Sequence, residues 1–287
     1  MGAVFKKELR GYFTGLTGYI LLAVMLVMMG IYAMIYCLSY QYSAFEFVYG
    51  NTVFVLMLFV PILTMRMFAE EKKQGTDRLL YSLPLKMSDI VLGKYFASLV
   101  VLGIPCFFTG IYPIILSKFG NINFKVVYAA MLGFFLLGAA LTAVCMFISL
   151  LTENQIIAAI VSFVVLLLNY FMNNLTNYIP STLFASTVIL ILLVIVVGLI
   201  VWAVTNNAVL ADIVSIVLLL ALIAIRLIKA ELIQGILPKI LNKIELFEQY
   251  FNIVYGSLDI STVVLYCSTI VLFCFLSVQV LERKRWA

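Results

Sequence analysis

The chain has 287 residues, of which 65% are apolar or aromatic (AVILMFWYC) and only 11% are charged. Soluble globular domains carry roughly 25% charged residues, and such a domain could not bury this much apolar surface. The composition therefore excludes a soluble protein and predicts an all-α polytopic membrane protein, with one transmembrane domain over residues 1–287. The net charge of +5 does not indicate nucleic-acid binding, because the basic residues cluster at the ends of apolar segments, which is a topology signal.

Several kinds of chemistry are also disfavoured. The sequence contains no histidine, which is the commonest general base and metal ligand. Its cysteines show no CxxC spacing and are interpreted as packing residues rather than metal or redox groups. We therefore expect no catalytic, cofactor-binding or metal site on this chain. No GxxxxGK[ST] motif occurs, so any ATP and Mg²⁺ that drive the protein would bind to another chain. The five cysteines are Cys37, Cys106, Cys145, Cys267 and Cys274.

Residues 1–16 are predicted to form an interfacial elbow helix at the start of the chain. Apolar residues such as Phe5 and Leu9 alternate there with Lys6, Lys7 and Arg10 at spacings that fit an amphipathic helix. Such a helix lies on a membrane surface with its basic side toward anionic headgroups. The alternative interpretation is an ordinary basic flank of the first span.

Eight apolar stretches are long enough to span a membrane, which requires about 20 apolar residues. The turn after the fourth stretch is Thr152-Glu153-Asn154, and the turn after the sixth is Thr205-Asn206-Asn207. Both turns are so short that we expect tight helical hairpins. The predicted spans are 17–39, 47–67, 90–117, 126–151, 155–173, 182–204, 208–228 and 260–281.

Between the second and third spans lies the densest charged region of the chain, a hairpin over residues 68–89. Glu70 and Glu71 begin it, Gly75-Thr76 breaks it, and leucines at helical spacing follow. Such a segment cannot lie in lipid, and we expect its residues to contact a partner. The alternative is a solvated loop whose charges pair with one another. The predicted contact residues are Glu70, Glu71, Gly75, Thr76, Arg78, Leu79, Leu80 and Leu83.

Basic residues select the orientation. With the N-terminus inside, twelve of the 18 Lys and Arg residues fall on the cytoplasmic side, as the positive-inside rule requires. An even number of spans then returns the Arg283–Arg285 cluster to the same side, so both termini are predicted to be cytoplasmic. The segment 229–259 is placed outside. Its apolar residues recur every three or four positions, which predicts one or two interfacial helices, with Pro238 breaking the helix or beginning a second one.

Polar residues within or beside the spans are candidates for a transport pathway. Asn169 and Asn173 lie at the outer end of the fifth span, and Asp212 lies about one turn into the seventh. Charged and polar groups at such positions often face a cavity or a partner. Interhelical hydrogen bonds explain the asparagines equally well, and anchoring near the membrane surface is the favoured interpretation of Asp212.

The hairpin and the C-terminus carry a resemblance to a known family. The sequence resembles the transmembrane subunit of bacterial ABC-2 type ABC transporters, close to the gliding-motility permease branch. The matching residues are Met65-Arg66-Met67-Phe68-Ala69-Glu70-Glu71, Gly75-Thr76, Leu83-Pro84 and Val91-Leu92-Gly93-Lys94, and near the end Phe251, Gly256, Asp259, Tyr266 and Leu281-Glu282-Arg283-Lys284-Arg285-Trp286.

This resemblance implies a specific architecture and specific partners. It implies a six-span core, here with an extra helical pair, and a coupling helix after the second span that docks into an ABC ATPase subunit. It also implies a second permease chain, identical or related, a bacterial cytoplasmic membrane, and export driven by ATP that the partner hydrolyses. The alternatives from other classes are an ATP-independent carrier or channel, an integral membrane enzyme, and a non-transporting scaffold of an envelope machine.

Overall fold

The computed structural model describes residues 1–39, 44–76, 86–118, 120–178, 187, 191, 236–257 and 259–286. The chain divides into two units, of which one comprises Met1–Tyr170 with Leu246–Ala287 and the other Phe171–Glu245. The described residues form helices and no strands. These helices are α1 (Gly2–Thr14), α2 (Leu16–Ala33), a π-helical segment (Met34–Ser39), α3 (Glu46–Thr64), α4 (Ala69–Lys73), α5 (Met87–Thr109), α6 (Tyr112–Leu116), α7 (Phe124–Leu151), α8 (Gln155–Tyr170), α9 (Met172–Tyr178), α10 (Ile236–Ile244), α11 (Leu246–Val254) and α12 (Ile260–Trp286).

Five helical stretches in the described part of the chain are long and apolar enough to cross a membrane. The prediction of an all-α multi-pass membrane protein is therefore confirmed. The shorter apolar helix α8 corresponds to the fifth predicted span. The sixth and seventh predicted spans, 182–204 and 208–228, lie outside the described residues, so the total of eight spans stays a prediction. The five stretches are Leu16–Ser39, Glu46–Lys73, Met87–Leu116, Phe124–Leu151 and Ile260–Arg283.

Helix α7 forms the centre of the first unit, and α3, α5, α8, α11 and α12 all pack against it. Its small residues let these neighbours approach closely, which is how helices associate where lipid supplies no hydrophobic driving force. At Gly138, a Cβ atom would lie 2.7 Å from Cδ2 of Leu102 on α5. At Gly133, it would lie 3.1 Å from Cδ1 of Ile253 on α11. Both glycines are therefore positions of close helix packing.

The third span is divided near its C-terminal end. Helix α5 continues through Pro105 to Thr109, and α6 begins two residues beyond Gly110 with Pro113 in its first turn. Proline has no N–H to donate, so this part of the helix leaves carbonyl groups that need other partners. The Tyr128 hydroxyl lies 3.3 Å from the Gly110 carbonyl and donates to it. The break between α5 and α6 thus lies at Gly110 and Ile111.

The predicted amphipathic segment after residue 229 contains two helices, α10 and α11. Pro238 lies in the first turn of α10, where its missing N–H does no harm. Helix α10 ends at Ile244, and α11 begins at Leu246. Helix α11 is amphipathic: Phe247 and Tyr250 are buried against α7 and its neighbours, whereas Asn252 on the other side is exposed. Within the second unit, α9 packs on α10, and Thr176 donates to the Asn242 side chain at 2.8 Å.

Three polar contacts fix α11 in the first unit. The Asn169 side-chain oxygen accepts a hydrogen bond from the Leu246 backbone N–H at 3.1 Å, which satisfies a free donor at the start of the helix. The Tyr266 hydroxyl on α12 donates to the Leu246 carbonyl at 2.9 Å. The Tyr250 hydroxyl donates to the Ala130 carbonyl on α7 at 3.4 Å. The helix is therefore bonded to α7, α8 and α12.

We predict that Gly133→Leu destabilises the purified protein, because the new side chain enters space that Ile253 and Tyr250 fill. Overpacking of this kind costs roughly 1–3 kcal/mol, and more where backbone must move. The control is Gly30→Leu, since a Cβ at Gly30 meets nothing within 4 Å. Thermal unfolding in detergent should show a lower midpoint for Gly133→Leu alone. Equal midpoints for the two variants would contradict the close α7–α11 packing.

Candidate coupling site

The described part of the charged hairpin begins with a turn at residues 65–68 and continues as the one-turn helix α4. Gly75 adopts φ +67°, a conformation that favours glycine. Its N–H donates to the Lys72 carbonyl at 3.1 Å, and the Thr76 N–H donates to the Glu71 carbonyl at 3.0 Å. This pattern is a Schellman motif, which ends α4. The predicted break at Gly75-Thr76 is confirmed, whereas Arg78, Leu79, Leu80 and Leu83 lie outside the described residues.

A buried lysine lies directly beside this segment. Lys94, in the second turn of α5, is 1% exposed. Its ammonium group contacts the Glu8 carboxylate on α1 at 2.8 Å and the Glu71 carboxylate on α4 at 3.0 Å. It also donates to the Met67 carbonyl at 2.7 Å. An ammonium has three N–H donors, so each of them has an acceptor on a different part of the chain.

The charges around Lys94 balance. Glu71 accepts a second contact from Lys7 on α1, at 3.3 Å. Glu8 and Glu71 are each only about one sixth exposed, since their side chains retain 16% and 15% of their accessible surface. Two carboxylates thus face two ammonium groups, which meets the requirement that buried charges be paired. The ammonium of Lys94 also lies 5.1 Å from the centre of the Phe68 ring, a cation–π distance.

The C-terminal end of α7 holds the other side of the same turn. Ser149 donates to the Met65 carbonyl at 3.2 Å. Its hydroxyl also accepts from the backbone N–H groups of Phe68 and Ala69, each at 3.4 Å. Lys72 donates to the Leu150 carbonyl. Helix α4 is therefore attached to α1, α5 and α7 and follows directly from α3.

The contacts among α1, α4, the start of α5 and the end of α7 form a junction. Helix α1 packs against the rest of this junction through small and aromatic residues. A Cβ at Gly93 would lie 3.1 Å from Cβ of Val4, so glycine allows α1 to approach the α5 backbone. The Tyr12 hydroxyl donates to the Leu63 carbonyl near the end of α3, at 3.1 Å. Burial raises the pKa of Tyr12 well above its ordinary value, the nearby Glu8 carboxylate raises it further, and Arg66 opposes this. Tyr12 is therefore a neutral hydrogen-bond donor.

One side of α4 remains open to solvent. Glu70 is partly exposed and accepts a hydrogen bond from Gln74 at 3.3 Å, while Lys73, Gly75 and Thr76 are exposed. The charges around Lys94 are mutually neutralised. In the part of the chain that the structure describes, no group of His, Cys, Asp or Glu side chains is placed to hold a metal ion. The junction connects α1, α4, the start of α5 and the end of α7.

The candidate pathway residues are not gathered at this junction. The Asn169 side chain hydrogen-bonds to the first turn of α11. It therefore makes an interhelical hydrogen bond, which is the alternative to a pathway role that the sequence left open. Asn173 lies in α9 of the second unit, where its backbone carbonyl accepts from Thr176 at 2.7 Å. Asp212 lies outside the described residues. A pathway function for the three residues stays a prediction.

Sequence reasoning missed the central residues of the junction. Lys94 is predicted only to match the family and to be a basic residue of the cytoplasmic side, and no role is predicted for Glu8 or Ser149. Two signals were present in the sequence. A lysine inside the apolar stretch after Leu92 needs a partner, and Glu8 is the only acidic residue before Glu46. Pairing them would have placed α1 against the start of the third span.

Comparison with known proteins adds an independent observation. A family model described as "ABC-2 family transporter protein" matches residues 16–209. No curated protein and no solved structure matches the chain. The matched residues extend from the start of α2 past the end of α9 and include the whole hairpin. They make up more than half of the sequence, and they coincide with most of the membrane-spanning helices. The chain therefore belongs to the ABC-2 family of transporter proteins, whose members are membrane permease subunits of ABC transporters.

Proposed function

We propose that the chain is the membrane-spanning subunit of an ATP-driven exporter. It forms a translocation pathway as a dimer, with an identical or related second chain, and it is driven by separate ABC ATPase subunits. It is not itself an enzyme: ATP and Mg²⁺ bind to the partner, and this chain carries no cofactor. Family membership supports the permease part of this proposal, and the sequence resemblance extends it to the gliding-motility branch and to a bacterial cytoplasmic membrane.

The observation that carries the proposal is the attachment of α4 through Lys94. A segment that receives force from an ATPase must be firmly connected to helices that cross the membrane. Helix α4 follows α3 directly, and through Lys94 it is bonded to α5 and to α1. Any displacement of α4 therefore reaches two spans and the elbow helix together. The exposed side of α4, with Glu70 and Lys73, faces away from these bonds and is free to meet a partner.

The distribution of charge supports a cytoplasmic location for the junction. Hydrogen bonds join α1, α4, the start of α5 and the end of α7, so their basic residues lie at one end of the first unit. Cytoplasmic ends of membrane helices are enriched in Lys and Arg. This asymmetry supports a location of α1 and the hairpin on the ATPase side, with α11 toward the other end of the spans.

The first test concerns ATPase binding. We predict that Leu80→Asp releases the ATPase subunit from the purified permease, because a carboxylate in an apolar contact removes a buried anchor worth about 2 kcal/mol, or roughly thirtyfold in affinity. The measurement is the ATPase recovered per permease when the two are co-expressed and the permease is captured. Circular dichroism checks that the variant stays helical.

The matched control for this test is Leu80→Met, which preserves an apolar side chain and should retain the ATPase. Glu70→Lys should weaken binding less than Leu80→Asp does, since a charge at the edge of an interface contributes little. Full ATPase recovery with Leu80→Asp would remove the coupling assignment. Absence of any ATPase partner for the unaltered chain would favour the carrier or the scaffold instead.

The second test concerns orientation. In a cysteine-free background, Lys73→Cys and Arg285→Cys should resist a membrane-impermeant thiol reagent in intact cells, whereas Ser257→Cys should react. All three positions are exposed in the structure, so accessibility to solvent does not distinguish them. Labelling after permeabilisation provides the control that each thiol is reactive. Reaction of Lys73→Cys in intact cells would overturn the proposed topology.

A further inference from the structure

A groove on the surface of the first unit has a distinct chemical character. It measures about 810 Å³ and lies between α1, α5 and α7. Its size falls within the range of about 300–1,000 Å³ that is typical of small-molecule sites. Its walls are almost entirely apolar. The residues that shape it include Gly2, Phe5, Phe96, Val100, Gly103 and Phe135.

Two glycines create the depth of this groove. A Cβ atom at Gly2 would meet nothing within 4 Å, and one at Gly103 would meet only Cε2 of Phe135, at 3.5 Å. Space beside both residues is therefore open, and a larger side chain at Gly103 would project into it without a clash. Phe96 and Val100 remain 42% and 39% exposed along the same side of α5.

The groove lies along α5, which is a membrane-spanning helix, and beside α1. Seven residues separate Phe96 from Gly103, which corresponds to roughly 10 Å along the α5 axis. Phe5 and Gly2 lie on α1, the helix predicted to lie at the membrane surface. A ligand that fits must be apolar over this length, and a polar end would lie beside α1.

Charge at the α1 end is positive. Lys6 follows Phe5 directly, and Arg10 lies one helical turn further on, so the two share a face. Both are exposed, and in the described part of the chain neither takes part in an ion pair. Lys7 and Lys94 differ from them, because their charges are balanced by Glu71 and Glu8. Two uncompensated cations therefore follow the groove residue Phe5 on α1, one directly and one a turn further along.

We propose that this groove binds one anionic phospholipid, with an acyl chain along α5 and the phosphate group beside Lys6 and Arg10. The apolar groove matches an acyl chain, and the two cations on α1 match a phosphate group. A second protein chain would need an apolar surface at one end and carboxylates at the other. Acyl chains are present around any membrane protein, so selectivity here arises from the two cations. The inference depends on the membrane location and not on an ATPase partner.

The test uses the purified full chain in detergent with equal amounts of phosphatidylglycerol and phosphatidylcholine that carry identical acyl chains. Native mass spectrometry counts the lipids that remain bound. We expect one phosphatidylglycerol per chain in preference to phosphatidylcholine. Lys6→Glu should lower phosphatidylglycerol retention on the order of tenfold, because each basic group near a membrane surface contributes about a fivefold factor and the reversal adds repulsion. Gly103→Leu should lower retention of both lipids by filling the groove.

Matched controls carry the same changes elsewhere. Lys125→Glu alters an exposed lysine at the start of α7 by the same charge, and Gly30→Leu adds the same side chain to α2. Both should retain the lipid. Equal retention of the two lipids by the unaltered chain, or unchanged retention in Lys6→Glu and Gly103→Leu, would overturn the proposal. So would efficient disulfide-linked dimers of Val100→Cys in a cysteine-free background in vesicles, since a second copy would then cover the groove.

Discussion

A buried ammonium group must have acceptors for its protons and a negative charge nearby, and this requirement at Lys94 determines how one end of the molecule is assembled. Its three acceptors come from α1, from α4 and from the turn between α3 and α4. Removing one partner of such a buried pair leaves an uncompensated charge, which costs roughly 3–5 kcal/mol. The elbow helix, the charged hairpin and the third span are consequently held in one arrangement rather than attached independently.

The remaining contacts adapt the helices to that arrangement. Gly93 lies next to Lys94 and lets α1 approach the α5 backbone, so the carboxylate of Glu8 can reach the ammonium group. Ser149 secures the same turn from α7, the helix against which most of the first unit packs. At the other end of α7, Gly133 receives Ile253 and Tyr250 of α11. Helix α7 thus connects the charged junction with α11.

Much of this architecture could be predicted from sequence because lipid imposes strong rules on composition and length. Apolar stretches of about 20 residues predict spans, and the spans in the described residues agree with five of those predicted. The short turn at Thr152-Glu153-Asn154 and the break at Gly75 were also predictable, since local chemistry determines them. The role of Lys94 was not, because its partners Glu8 and Glu71 are 86 and 23 positions away and their pairing depends on tertiary packing. The packing of α11 against α7 could not be predicted for a similar reason: its amphipathic pattern fits a membrane surface as well as a helical bundle.

The central claim is that the Lys94 ion network, and not apolar packing alone, holds α1, α4 and α5 together. The most direct measurement compares the thermal unfolding midpoints of Lys94→Met and of the combined variant Glu8→Gln, Glu71→Gln and Lys94→Met. We predict a marked decrease for the single variant, because two carboxylates lose their buried counter-charge. The combined variant should recover most of the decrease in unfolding midpoint, because it leaves no buried charge without a partner. If the combined variant is as unstable as the sum of its separate changes, the network is not the constraint on which this end of the structure depends.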